Sequence, residues 1–207
     1  MIYGSRFVAI VSMLTVINAY AEGTIQARAE ALVREAFAGA TPTEWDERLR
    51  QDEAQRLCSL HRNTPPAAIA HQLLEAQQRT LRYPANGKLI GDWRKGEKLA
   101  AIGTGGHIGK IQPDRPGTPR GGNCYACHTL AAKEIAAGNL GPPLTHFGKL
   151  RGVSPEMVKY TYEKIFNAQA FHPCSMMPRF GHNSWLTPEE VADAVAYLLD
   201  PESPVNQ

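Results

Sequence analysis

Two cysteines and a histidine share one five-residue run, Cys124-Tyr125-Ala126-Cys127-His128, and this run limits the chain more than any other feature. Thiols three positions apart can each form a thioether to a haem vinyl group, and the histidine that follows is placed to bring its imidazole to the iron. A thioredoxin-like redox pair would need alternating strands and helices around it, and a zinc site would need a second ligand pair. Neither accompanies this run. The other cysteines, Cys58 and Cys174, stand singly and far from it. The run therefore reads as an attachment site for one covalently held haem c per chain, with Cys124 and Cys127 as thioether positions and His128 as an iron ligand.

The rest of the composition sets the scale around that site. A chain of 207 residues that is 43% hydrophobic and 20% charged can bury one real core, and it is too short for a large multidomain enzyme. Its net charge of +2 is spread evenly and gives no basic footprint for nucleic acid. Residues 1–21 carry one charge, Arg6, then the apolar run Phe7 to Ile17 and the small-x-small site Ala19-Tyr20-Ala21. This reads as a cleaved signal peptide, with an uncleaved tether as the alternative. As a helix the apolar run reaches only about 16 Å, roughly half of a bilayer's hydrocarbon core, so no membrane span is expected after cleavage.

Helix starts are marked by Ser/Thr-Pro pairs, which put a capping hydroxyl before a proline suited to the first turn. Thr41-Pro42 predicts a helix carrying Trp45, Leu49, Leu57 and Leu60; Thr64-Pro65 predicts one with Ile69, Leu73, Leu74 and Leu81. Ser154-Pro155 precedes Met157, Val158, Ile165 and Phe166, and Thr187-Pro188 precedes Val191, Val195, Leu198 and Leu199 at helical spacing. Further helices are expected from Asp92 to Ile102, from the Cys124 region to Ala137, and from Glu22 to Ala38. The stretch from Gly103 to Gly122 is rich in glycine and proline and reads as a loop. No run alternates long enough for a strand, so the class is all-α.

The iron needs a sixth ligand, and the loop before the last helix offers Met176, Met177, His172 and His182. Met177 is preferred because Pro178 stiffens the chain beside it, and a thioether ligand suits electron transfer. The other three remain alternatives.

Four segments together, G-N-C-Y-A-C-H, G-N-L-G-P-P-L, P-C-S-M-M-P-R-F-G-H-N and the closing L-L-D-P-E-S-P-V-N, resemble the SoxX family, the small cytochrome c subunits of SoxAX sulfur-oxidation complexes. The resemblance runs from about Trp45 to the end of the sequence. It implies a class I cytochrome c fold with an N-terminal helical extension: signal peptide 1–21, extension 22–91, cytochrome c domain 92–207, with the Asp92 and Thr187 helices crossing. It implies a periplasmic location and axial ligation by His128 and Met177. It gives Pro142 a place in the haem wall, with its carbonyl orienting the His128 imidazole, and it makes Tyr160, Phe166 and Phe180 candidates for the pocket. It further implies a SoxA cytochrome partner in a heterodimer, transient contact with the SoxYZ carrier, and a downstream electron acceptor. The joint activity would be that of an L-cysteine S-thiosulfotransferase, coupling thiosulfate oxidatively to a carrier cysteine, with the catalytic cysteine on SoxA. A freestanding periplasmic monohaem carrier is the alternative.

Cys58 and Cys174 are left over, and in an exported protein two unclaimed cysteines more often pair than stay free, so a disulfide is expected. A free buried thiol or a reactive thiol are the competing readings. His61, His71, His107, His146, His172 and His182 have no assigned role, with His107 the first to examine for haem contact. Arg179 reads as a surface ion-pairing residue or as a partner for a haem propionate.

Overall fold

Among the described residues, four α-helices begin on a side chain that caps them. The computed structural model describes residues 25, 27–43, 45, 50–103, 115, 117–131, 133–134 and 136–207. Helix α1, Glu53–Leu60, starts at Asp52, whose Oδ1 accepts from the Gln55 amide at 2.8 Å while Gln55 Oε1 accepts from the Asp52 amide at 2.9 Å. Helix α2, Ala67–Gln78, follows Pro66 without a side-chain cap. Asp92 caps α3, Trp93–Ala101. The short α4, Phe147–Arg151, precedes α5, Pro155–Phe166, capped by Ser154, and α6, Pro188–Leu199, begins on a Thr187/Glu190 capping box. Proline fills the first turn of α5 and α6, where its missing N–H costs nothing. Among the described residues there is no strand, and no helix is long and apolar enough to cross a membrane.

The core forms where α3 crosses α6. At Gly96 an added Cβ would run into the Asp193 carbonyl and come within 2.7 Å of Tyr197 Cβ, so only glycine lets the backbones approach this far. The Gly91 amide donates to the Ala192 carbonyl at 2.9 Å and the Asp92 amide to Asp193 Oδ1 at 2.7 Å, which pins the start of α3 to α6. Val191, Val195 and Leu199 recur at helical spacing and are essentially inaccessible. Tyr162, Ile165 and Phe166 of α5 close over them in the same cluster. The C-terminal turn is buried as well. Asn206 Nδ2 donates to the Leu198 and Asp200 carbonyls, and its Oδ1 accepts from the Gly148 and Lys149 amides at the start of α4.

Packing divides the chain into Met1–Glu47 and Arg48–Gln207. In the first unit residues 27–36 are helical, Ile25, Leu32, Val33 and Phe37 are exposed, and the Arg34 guanidinium lies 4.3 Å from the Trp45 ring centre. The expected signal peptide, residues 1–21, lies outside the described residues. In the second unit α2 packs onto the 3-10 turn Ala168–Ala170, and α1 is tied to the loop at Cys174. Ala54, Cys58, Leu73 and Cys174 make a small core of their own, and the Gln78 side chain donates to the Ala170 carbonyl at 3.2 Å. The line drawn from sequence at 91/92 separates what a minimal haem domain needs from what precedes it, whereas packing draws its line at 47/48.

Three expected helices differ from what forms. The one anticipated from Thr64-Pro65 begins only at Ala67, after Pro66 and without a side-chain cap, and ends at Gln78, short of Leu81. The helix anticipated from Thr41 to Leu60 is interrupted at residues 50–52, where the Asp52/Gln55 capping box starts α1, and Leu60 is left exposed. The helix anticipated from Cys124 to Ala137 is only a 3-10 turn, Cys124–Ala126. The carbonyls of Tyr125 and Cys127, which a helix would use internally, accept instead from the amides of Gly138 and Gly141.

The crossing yields a stability prediction. Alanine for glycine at an open helical position stabilises by about 1 kcal/mol. At Gly96 the clash should outweigh that gain, so Gly96→Ala is expected to destabilise the holoprotein by about 1–3 kcal/mol in denaturant unfolding. A stabilised variant would show that the close approach does not matter.

Candidate haem site

The attachment run hangs from the end of α3. The Leu99 and Ile102 carbonyls, left over at the helix terminus, accept from the Gly122 and Asn123 amides at 2.8 and 3.1 Å. Asn123 adopts a left-handed backbone, φ 46°, which asparagine tolerates better than most residues and which turns the chain into Cys124. The His128 amide then donates to the Cys124 carbonyl at 2.9 Å. Residues 138–144 fold back alongside, with Gly138, Gly141 and Leu144 amides bonded to the carbonyls of Tyr125, Cys127 and Thr129, each at 2.8 Å. Gly141 lies so close to the His128 ring that a Cβ there would overlap it.

This return strap presents the Pro142 carbonyl to His128 Nδ1 at 2.7 Å. A carbonyl only accepts, so Nδ1 is the donor, and of the two neutral tautomers this bond selects the one whose Nε2 lone pair is available to a metal. That is the tautomer a metal-binding histidine uses when a second partner fixes its ring.

His128 and Cys124 line an apolar cavity together with Leu130, Leu144, Phe180, Tyr197 and Met177. A second cavity shares Leu144, Ile165, Met177 and Leu198 with the first and adds Pro142, Arg151, Met157, Tyr160 and Lys164. Apolar walls with few polar groups suit the faces of a porphyrin. Cys124 and Cys127 are not bonded to each other, and burial pushes the Cys124 thiol up to about 11. A redox-active pair needs the opposite shift, toward the thiolate. Among the described residues, no three of His, Cys, Asp and Glu gather as a free-standing metal site. The residues present fit a haem held by thioethers and a neutral imidazole.

The candidates for the sixth position separate clearly. Met176 is 84% exposed, whereas Met177 packs against the main core and lines both cavities. His172 is exposed, and neither it nor His182 lines either cavity. His182 is half-buried, and burial, then the Arg179 charge, lowers its pKa against the opposing pull of Asp52. His61 and His71 belong to the segment before α3, and His146 opens α4 with its amide on the Val205 carbonyl at 2.7 Å. His107 lies outside the described residues.

Of the aromatic candidates, Phe180 lines the first cavity and Tyr160 the second, while Phe166 is buried core stacked on Tyr162. Cys58 and Cys174 are bonded, with Cα atoms 5.4 Å apart. Arg179 is not at the surface. It is 5% exposed, and its Nη2 donates to Asp52 Oδ2 at 2.6 Å and its Nη1 to Gln77 Oε1 at 3.2 Å, so burial has engaged the guanidinium with α1 and α2. Burial raises the Asp52 carboxyl, but the Gln55 amide and Arg179 outweigh it and hold the pKa below its ordinary value.

Sequence reasoning missed Lys164 and Arg151, the cations lining the second cavity. Burial lowers the Lys164 pKa. A signal existed: Met157, Tyr160, Thr161 and Lys164 follow the i, i+3, i+4, i+7 spacing of one helix face. Tyr125 was also missed. Its hydroxyl meets that of Tyr197 at 2.5 Å, tying the attachment run to α6.

A family model described as cytochrome c matches residues 121–200. The chain is also 44% identical over 158 residues to an uncharacterized lipoprotein of Aquifex aeolicus (strain VF5), an alignment that covers 76% of this chain and 73% of the relative.

With haem attached, all four sulfurs should be accounted for. Thiol titration of the denatured, unreduced holoprotein is expected to find none, and titration after reduction two, those of Cys58 and Cys174. Two thiols before reduction would contradict the disulfide.

Proposed function

The chain belongs to the cytochrome c family, and from that premise we propose that it is the electron-accepting haem subunit of a SoxAX-type complex working in the periplasm. Family membership makes it an electron-transfer haem protein with an all-α class I cytochrome c fold and covalently attached haem c. The observation that carries the reading is the convergence of Cys124, His128 and Met177 on one apolar cavity.

Bound haem c supplies a one-electron centre. Cys124 and Cys127 would hold it by thioethers, His128 would offer Nε2 to the iron with Pro142 fixing its ring, and Met177 would offer a thioether. Leu130, Leu144, Ile165 and Leu198 exclude water from the faces. Lys164 and Arg151 add positive charge to the lining of the second cavity. Dry walls and a thioether ligand favour the reduced state and raise the potential, as an electron acceptor requires.

The finer assignment rests on the four sequence segments that resemble SoxX. In such a complex the SoxA partner would carry the catalytic cysteine. Joining thiosulfate to a thiolate of the SoxYZ carrier forms a sulfur–sulfur bond and releases two electrons, which this subunit would pass on singly to a downstream acceptor. Export is supported by the leader-like residues 1–21, by the buried disulfide, and by the description of the Aquifex relative as a lipoprotein.

One observation favours a freestanding carrier. Helices α1 and α2 spend apolar surface on their own haem domain, in the Ala54, Cys58, Leu73 and Cys174 core, rather than holding all of it for a partner. Size-exclusion mass after co-expression with a SoxA subunit separates the two: the complex reading expects a heterodimer, and persistent monomer would leave the carrier.

Ligation is tested by the near-infrared methionine-to-iron band of the ferric protein. Met177→Ala should abolish it and Met176→Ala should leave it intact. A band that survives Met177→Ala would overturn the ligand assignment.

A further inference from the structure

We propose that helix α1 is a brace that positions Met177 at the iron by fastening its loop at both ends; this rests on the reading of Met177 as the ligand. Cys174, three residues before Met177, is bonded to Cys58 of α1. Arg179, two residues after it, donates to Asp52, the residue that caps α1. The whole segment from 174 to 179 is thus clamped to one eight-residue helix.

The disulfide is buried, and so is the Arg179 end of the other tether, whereas the Asp52 side chain is 43% exposed. Cys58 and Cys174 are 6% and 7% exposed within an apolar cluster. The Asp52 carboxylate is shared, with Oδ1 taking the Gln55 amide that starts the helix and Oδ2 taking Arg179. Gln77 Oε1 of α2 accepts from Arg179 Nη1 and also from Asn167 Nδ2 at 2.9 Å, which locks the guanidinium from a second side.

Between the tethers the loop has few hydrogen bonds to the rest of the protein: the Gln169 side chain donates to the Ser175 carbonyl at 3.5 Å, and Met177 packs on the core by its side chain. Met177 and Ser175 amides bond locally, to Ser175 Oγ at 3.3 Å and the His172 carbonyl at 3.0 Å, and Pro178 has no amide hydrogen. Cys174 has φ 61°, a left-handed backbone that a side chain larger than glycine adopts only where its surroundings enforce it. A thioether is neutral and brings no charge attraction to the iron. Its hold against an outside ligand therefore depends on how narrowly the chain confines it, which is an effective-concentration effect of the two tethers.

The test uses the full-length, haem-loaded ferric protein and the rate at which imidazole displaces the methionine, followed by loss of the near-infrared band. Asp52→Asn removes the charge facing Arg179 and keeps the cap, since asparagine starts helices as well as aspartate does. Cys58→Ser with Cys174→Ser removes the other tether; if that variant does not accumulate, reducing the wild-type disulfide with a phosphine reads the same step. Each change is expected to speed displacement about tenfold or more, and both together to exceed either alone. Helix content and the denaturation midpoint are followed in parallel. A lowered midpoint with an unchanged imidazole rate would overturn the brace and leave α1 a merely structural helix. Survival of the band in Met177→Ala would overturn the ligand reading and the brace with it, whereas its loss there beside unchanged rates in the tether variants would overturn the brace alone.

Discussion

The close crossing of α3 and α6 at Gly96 is the contact on which the rest of the second unit depends. The attachment run hangs from the carbonyl end of α3, and the loop bearing Met177 leads into α6. Because the crossing fixes these two helices against each other, it fixes the separation of the two segments that face the cavity. Spread the helices and His128 and Met177 no longer share a wall. The bond between Tyr125 and Tyr197 adds a direct link from the attachment run to α6, so the proximal segment is held at its end and its middle.

Much of this was legible in the sequence because its signals are local. The Ser154 and Thr187 caps and the apolar spacing of α6 each depend on residues within one or two turns, and both helices formed where they were read. What escaped depends on contacts distant in sequence. The return strap 138–144 captures the carbonyls of Tyr125 and Cys127, so local helix propensity from 124 to 137 had no say. Arg179 reads as a surface residue until Asp52 and Gln77, more than a hundred positions upstream, arrive to engage it. The short helix α4 is organised by Asn206 at the far end of the chain, which no window around residue 147 contains.

The segment before α3 gains meaning from the same contacts. A minimal c-type domain does not need α1 and α2, and the resemblance to SoxX left them as an extension awaiting a purpose. Their buried groups are turned toward the loop that carries Met177 and toward the turn at Ala168–Ala170. Support for the domain's own ligand loop is compatible with docking to a partner on the outer faces of these helices, where most of their residues remain exposed.

The claim at the centre is that one iron lies between a nitrogen of His128 and the sulfur of Met177. X-ray absorption at the iron edge of the purified ferric protein reads those neighbours directly, with no substitution to disturb the fold. One sulfur scatterer beside a shell of nitrogens is the expected result. A shell of nitrogens alone would contradict it, and would mean that Met177 packs beside the haem without binding its iron.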